Sequence, residues 1–203
     1  MFHILTRLVV ILFFPLIVTG CFGTTQPSKF YVLTSLADPY AVNCKEGLVQ
    51  DIAIGIGPVK MPEYLKRPQI VTRTGNNTLY LSEFDRWAGS LTEDFTRVLA
   101  ENISTMLVTD RIVIYPWRRS LPVDYQVEFD VIQLDGSPGG DVCLKVRWAV
   151  FSDNGKKLYF VKTSRISEAT SGTGYKALVA AESRAIKKLS QEITTALKGQ
   201  LNN

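Results

Sequence analysis

The order of apolar and polar positions divides the chain into one unbroken apolar run, several stretches of period two and two long stretches of helical period. Residues 29–36 (KFYVLTSL) alternate, with Tyr31 and Leu33 facing one way and Phe30 and Val32 the other. Residues 51–59 (DIAIGIGPV) place Ile52, Ile54 and Ile56 together and leave the small Ala53, Gly55 and Gly57 opposite, which predicts close approach by another element. Prolines bound the next segment, Met61-Pro62-Glu63-Tyr64-Leu65-Lys66-Arg67-Pro68, and exclude a regular helix or a central strand there. A hairpin is predicted from residues 70–73 and 78–81 around Gly75-Asn76-Asn77.

Helical spacing follows. Ser82 with Asp85 predicts a helix start, and Phe84, Trp87, Leu91, Phe95, Val98, Leu99, Ile103, Met106 and Leu107 form one broad apolar face. Glu93, Asp94, Arg97, Glu101 and Asn102 make the polar side, and the apolar stripe, Trp87 included, reads as core in preference to a lipid-binding face. After a short segment at 112–115, Tyr125, Val127, Phe129 and Val131 alternate on one strand and Val142, Leu144, Val146, Trp148 and Val150 on the next. A third strand covers 158–166, and turns at Gly136-Ser137-Pro138-Gly139-Gly140 and Asp153-Asn154-Gly155 join the three as a meander. From Tyr175 to about Leu201 a second helix carries Leu178, Val179, Ile186, Leu189, Ile193 and Leu197 on one side. The predicted fold is α+β: a single domain with an antiparallel or mixed sheet and two long amphipathic helices packed on one face.

The unbroken apolar run, residues 8–18 (LVVILFFPLIV), follows Arg7. As a helix it would rise about 16 Å, roughly half a bilayer core, which suits the apolar region of a signal segment better than a membrane span. Val18-Thr19-Gly20-Cys21 then resembles the lipobox of bacterial lipoproteins, in which small residues fit the peptidase and the cysteine thiolate takes a diacylglyceryl group. The expected organisation is a signal peptide at 1–20, a lipidated tether at 21–29 and a folded domain at 30–203, with diacylglycerol and an N-acyl chain on Cys21 and no other cofactor. Phe22 stands where an aspartate would favour inner-membrane retention in such lipoproteins, so the expected site is the outer membrane, facing the periplasm.

The chain has 203 residues, 46% hydrophobic and 21% charged, a composition that supports a real core without disulfides or metals. The formal charge of +4 is scattered in pairs such as Arg118-Arg119 and Lys187-Lys188, which argues against nucleic acid as a partner. The only histidine, His3, lies in the segment expected to be removed. A chain without it has no Ser-His-Asp or Cys-His chemistry and no His-ligated metal site, so neither catalytic residues nor a metal centre is expected. A carboxylate hydrolase using Glu128 and Asp130 is the distant alternative, but these alternate with Gln126 on the outer face of a strand and read as solvated carboxylates in preference. Thr170-Ser171-Gly172-Thr173-Gly174 lacks the lysine of a phosphate-binding loop and reads as a helix lead-in. Cys44 and Cys143 are candidates for a disulfide in an oxidising compartment, against two separate thiols.

Several blocks together resemble the PqiC/YmbA family of ABC-type transport auxiliary lipoproteins: the lipobox, Phe30-Tyr31-Val32-Leu33, Ile56-Gly57-Pro58-Val59 leading to Pro62-Glu63-Tyr64-Leu65, Arg67-Pro68-Gln69-Ile70-Val71, Arg86-Trp87, Val98-Leu99-Ala100-Glu101-Asn102-Ile103, Val146-Arg147-Trp148 and Tyr175-Lys176-Ala177-Leu178-Val179-Ala180-Ala181. The resemblance implies a non-enzymatic outer-membrane subunit working with an MCE-domain, PqiB-like protein and, indirectly, a PqiA-like inner-membrane protein in moving lipid between membranes. A homo-oligomer is compatible with it. A lipid carrier in its own right and an envelope-structural lipoprotein without transport are the alternatives. Met61, Tyr64, Leu65 and Arg67 are the docking candidates, since apolar and arginine side chains in a proline-stiffened loop make good interface anchors; packing over a sheet edge is the other reading of the same loop.

Overall fold

A computed structural model describes residues 26–35, 51–118, 121–152 and 155–201. Cys21, Cys44 and the signal segment lie outside them. The order of elements is β1 (Lys29–Tyr31), β2 (Ile54–Lys60), a single 3-10 turn (Glu63–Leu65), β3 (Gln69–Gly75), β4 (Thr78–Trp87), α1 (Leu91–Leu107), β5 (Ile112–Ile114), β6 (Tyr125–Gly136), β7 (Asp141–Ser152), β8 (Lys157–Ala169) and α2 (Tyr175–Leu201). The fold is α+β in one domain, but the strands form two sheets where one was expected. A five-stranded sheet runs β5-β2-β6-β7-β8, and a three-stranded sheet runs β1-β4-β3.

The larger sheet is mixed. β2 lies parallel to both β5 and β6, and β6, β7 and β8 make the expected antiparallel meander. Both helices pack on this sheet and on each other, α1 over β2 and β5, α2 over β6, β7 and β8. Alternation does the sorting: on β7, Val142, Leu144, Val146, Trp148 and Val150 are buried, while Cys143, Lys145 and Arg147 take the opposite face. Ile54, Ile56, Val127 and Phe129 share one buried cluster with Phe95, Leu99, Ile103, Ile186, Leu189 and Ile193. Trp148 keeps its indole N–H satisfied within that core by donating to Ser164 Oγ at 2.9 Å, and Ser164 donates to Glu192 Oε2 on α2 at 2.6 Å.

The small residues of β2 have the close neighbours their pattern predicts. A Cβ on Gly55 would lie 2.8 Å from Cη2 of Trp117, and one on Gly57, whose φ is +110°, would lie 2.9 Å from Cβ of Tyr115. The segment after β5 therefore lies directly on the bare backbone of β2, where a larger residue would push it off.

Two expectations about α1 are corrected. Its start is Ser90, whose Oγ accepts from Glu93 N–H at 3.4 Å, with Glu93 and Asp94 in the first turn. Ser82 and Asp85, read from the sequence as the helix start, belong to β4, as do Phe84 and Trp87. Ser82 Oγ donates to Asp85 Oδ2 at 2.9 Å and Tyr31 O–H donates to Asp85 Oδ1 at 2.7 Å, so the pair clasps β1 to β4 instead of capping a helix. An aromatic-rich strand entering a helix places its apolar residues at spacings that fit either period, and only the cap separates the two. Asn102 is the second correction. It is fully buried, with Nδ2 donating to Ser190 Oγ at 3.3 Å, because α1 packs on α2 as well as on the sheet.

α1 ends on Val108, a β-branched residue in the left-handed conformation at φ 55° and ψ 52°. That conformation brings Thr109 N–H to the Ser104 carbonyl at 3.2 Å, and Ser104 Oγ donates to Thr109 O at 2.7 Å. The side chain of Val108 is exposed and adds strain without burial. Val108→Gly is therefore expected to raise stability by about 0.5–1 kcal/mol, the relief of strain exceeding the added freedom of the unfolded chain; urea denaturation reads it as a higher midpoint at unchanged slope.

Candidate functional site

Two arrangements stand out in the described residues, one at the chain's entry into the domain and one where the two sheets meet. Leu33, just past β1, is buried in the core, and its backbone is held on both sides by α1. Leu33 N–H donates to Asp94 Oδ2 at 2.5 Å, and Arg97 Nη2 donates to Leu33 O at 2.9 Å. Arg97 is itself fixed by Asp94, through Nε at 3.1 Å, and by Glu101, through Nη1 at 2.9 Å. One residue on, Thr34 N–H donates to Ser183 Oγ of α2 at 3.1 Å. The entering strap is thus bound to both helices by side chains that would otherwise be ordinary surface polar groups. Beside it lies an open cavity of about 400 Å³ whose walls include Tyr31, Val32, Trp87, Leu91, Asp94 and Arg97.

The second arrangement centres on Asp135, near the end of β6 and 1% exposed. Its carboxylate accepts from Arg73 of β3 through Nε at 3.1 Å and Nη2 at 2.8 Å, from Tyr64 O–H at 3.0 Å and from Gln133 Nε2 at 2.8 Å. Burial alone would raise the Asp135 pKa, but the hydrogen bonds from Arg73, Gln133 and Tyr64 outweigh it and hold the carboxyl below its usual range. Burial and the adjacent carboxylate push the Tyr64 hydroxyl up to about 12. At neutral pH this is a fixed ion pair with a phenol donor, and it ties the smaller sheet to the larger one.

The docking candidates separate here. Met61 and Leu65 are buried in the core, Tyr64 is half-buried and bonded to Asp135, and Arg67 alone of the four is exposed. The apolar residues of the proline-bounded loop thus pack inward, as the covering reading of that loop has it. Cys143 lies on the outward face of β7, half-buried, with its thiol pKa raised by burial and then by the charge of Asp135, which makes it a poor nucleophile. Its candidate partner Cys44 is outside the described residues. Glu128 accepts from Gln126 Nε2 at 2.8 Å, and Asp130 pairs with Arg147 at 2.6 Å, both on the outer face of the sheet. The glycine-containing stretch before α2 is a lead-in: Ala177 N–H and Leu178 N–H donate to Gly174 O at 3.0 and 3.1 Å, and Gly139 N–H donates to Gly172 O at 3.1 Å.

In both arrangements the polar groups are taken up in hydrogen bonds and ion pairs, some within one element and the rest joining two. Among the described residues no helix is long and apolar enough to cross a membrane. The model of the ABC-type transport auxiliary lipoprotein component family matches residues 31–194. The chain belongs to this family. The match runs from Tyr31 at the end of β1 to the last turns of α2 and so spans β2 to β8, α1 and the residues of the Asp135 junction.

Solved structures share the fold at low identity. One uncharacterised protein superposes with a TM-score of 0.68 at 17% identity, covering 85% of this chain and 99% of its own. A protein from Xanthomonas campestris superposes at 0.67 with 15% identity, covering 86% and 98%. Among curated proteins none matches the chain. The strap and the Asp135 junction were not apparent in the sequence, because each joins residues 61 or more positions apart. The one available signal was an apolar Leu33 immediately followed by polar residues, and it points to no partner.

Proposed function

We propose that this auxiliary lipoprotein is the outer-membrane docking subunit of an MCE-type, PqiABC-like intermembrane lipid transport system, and that it performs no catalysis. In this reading residues 1–20 are removed, Cys21 carries the diacylglycerol and N-acyl chains, and residues 22–29 tether a domain facing the periplasm. The family match across residues 31–194 carries the proposal. Two further features support it. The strap through Leu33 gives a membrane anchor a firm grip on both helices, and the carboxylates of both arrangements serve in ion pairs and hydrogen bonds instead of standing ready for acid–base work.

The test is capture of the full lipidated chain from envelope extracts. Co-purification of an MCE-domain protein is expected; recovery of other outer-membrane proteins with no MCE protein overturns the transport reading. Native mass spectrometry of the captured chain addresses the carrier alternative, which predicts a retained phospholipid beyond the covalent acyl groups.

A further inference from the structure

The smaller sheet ends in an apolar edge at the point where the chain enters the domain. Among the described residues β1 pairs only with β4, and Phe30 on this edge and Val32 just past its end are 64% and 53% exposed. Tyr31 and Leu33, the residues between and after them, turn inward, Tyr31 to Asp85 and Leu33 into the core. Exposed aromatic and β-branched residues on a free edge are a liability that folded proteins cover or blunt. Here cations flank them. Lys29 is exposed on the same strand, Arg86 stands opposite Phe30 in the register, and Lys66 and Arg67 line the wall of a neighbouring hollow with Trp87 and Ala88. Of the acids around it, Asp85 is engaged by Tyr31 and Ser82, Asp94 by Leu33 N–H and Arg97, and Glu63 by Lys66 at 2.5 Å, while the exposed Glu93 lines the cavity beside Val32.

Chain length identifies what covers this edge. Nine peptide steps separate Cys21 from Phe30, and a fully extended chain spans them in about 30 Å. With Cys21 acylated, Phe30 can never move farther than that from the headgroup layer, so the bilayer meets this edge at far higher effective concentration than any soluble protein. We infer that the β1 edge, through Phe30 and Val32 with Lys29, Arg67 and Arg86 around them, seats on the surface of the anchoring membrane and fixes the orientation of the domain. The chemistry it takes is a phospholipid interface with an anionic fraction: Phe30 and Val32 enter the headgroup and acyl boundary, and the cations meet phosphates. The acyl chains provide the affinity. The edge provides the angle, and the strap through Leu33 passes that angle to α1 and α2.

This inference rests on the reading of Cys21 as the lipid attachment point, and the experiment separates the two. The full lipidated chain is reconstituted in vesicles of phosphatidylethanolamine and phosphatidylglycerol whose acyl chains carry bromine, and the fluorescence added by a tryptophan at position 30 (Phe30→Trp) is compared with that added by Tyr80→Trp. Tyr80 is 53% exposed on β4, beyond the part of that strand paired with β1. The Phe30→Trp signal is expected to be quenched several-fold more than the Tyr80→Trp signal. Equal quenching at both, or none at either in a chain that floats with the vesicles, overturns the seating and leaves the anchor standing. A chain that does not float overturns the anchor and the seating with it. Val32→Trp serves as a second reporter with the same expected outcome should Phe30→Trp fail to fold.

Discussion

Arg73→Met is expected to lower the unfolding free energy by about 3 kcal/mol at pH 7, with a distinctly smaller loss near pH 4, as read by urea denaturation at the two pH values. The methionine keeps most of the aliphatic stem, so packing changes little. What is lost is the bidentate partner of a carboxylate that is 1% exposed, while Tyr64 and Gln133 remain as neutral donors. In the parent protein the folded pKa of Asp135 lies below its unfolded value of 3.8. Its contribution to stability is therefore fully present above that value and disappears as the pH falls through the folded pKa. Without the guanidinium, burial dominates and the folded pKa rises above 3.8. The penalty then applies when the carboxylate is charged and is relieved as acid protonates it, so the difference between variant and parent shrinks toward low pH. A loss of the same size at both values would show that packing, and not charge, holds the sheets together.

That junction illustrates where sequence pattern stops. The strands and helices around it follow from periodicity: β7 alternates from Val142 to Val150 and β6 from Val127 to Val131, where its register shifts, and Val127, Phe129, Val142, Leu144 and Val146 take the faces their alternation assigns. Small residues on β2 likewise announce a close neighbour, found as Tyr115 and Trp117. Asp135 carries no such signal. As part of a strand ending in Asp-Gly before a turn it reads as a turn residue, and nothing nearby in sequence names Arg73, 62 positions away, as its partner.

The division into two sheets is hidden for a related reason. Period two says that residues 29–36, 70–73 and 78–81 form strands, but not which edge each strand finds. The smaller sheet depends on β1 lying parallel to β4, a pairing made through the Tyr31, Asp85 and Ser82 clasp that the sequence presents as a helix cap. Met61 and Leu65 show the same limit in the docking loop. Prolines forbid regular structure there, yet the apolar side chains between them still turn inward to the core, because no polar alternative competes for that space.

Glu182→Gln is expected to stabilise the protein by on the order of 3 kcal/mol at pH 7 and to have almost no effect near pH 4. Glu182 lies on α2 at 2% exposure, among the buried Leu178, Val179, Ala185 and Ile186 of the same helix, and its Oε2 has no hydrogen-bond partner among the described residues. Burial, reinforced by the charge of Asp135, pushes its pKa up to about 8 from the ordinary 4.5. For an acid the sign is this: between 4.5 and about 8 the folded state holds a proton that the unfolded state has released, so stability falls as the pH rises through that window. Below it both states are protonated, and glutamine and glutamic acid are equivalent. Above it the folded protein must accommodate a buried carboxylate beside Asp135. Glutamine removes the titration, so the variant's stability should change less between pH 5 and pH 8 than the parent's, the two curves converging in acid and separating by about 1.4 kcal/mol per pH unit as neutrality is approached. Parallel curves, offset equally at every pH, would mean that Glu182 is already charged in the folded protein, with a partner drawn from elsewhere in the chain.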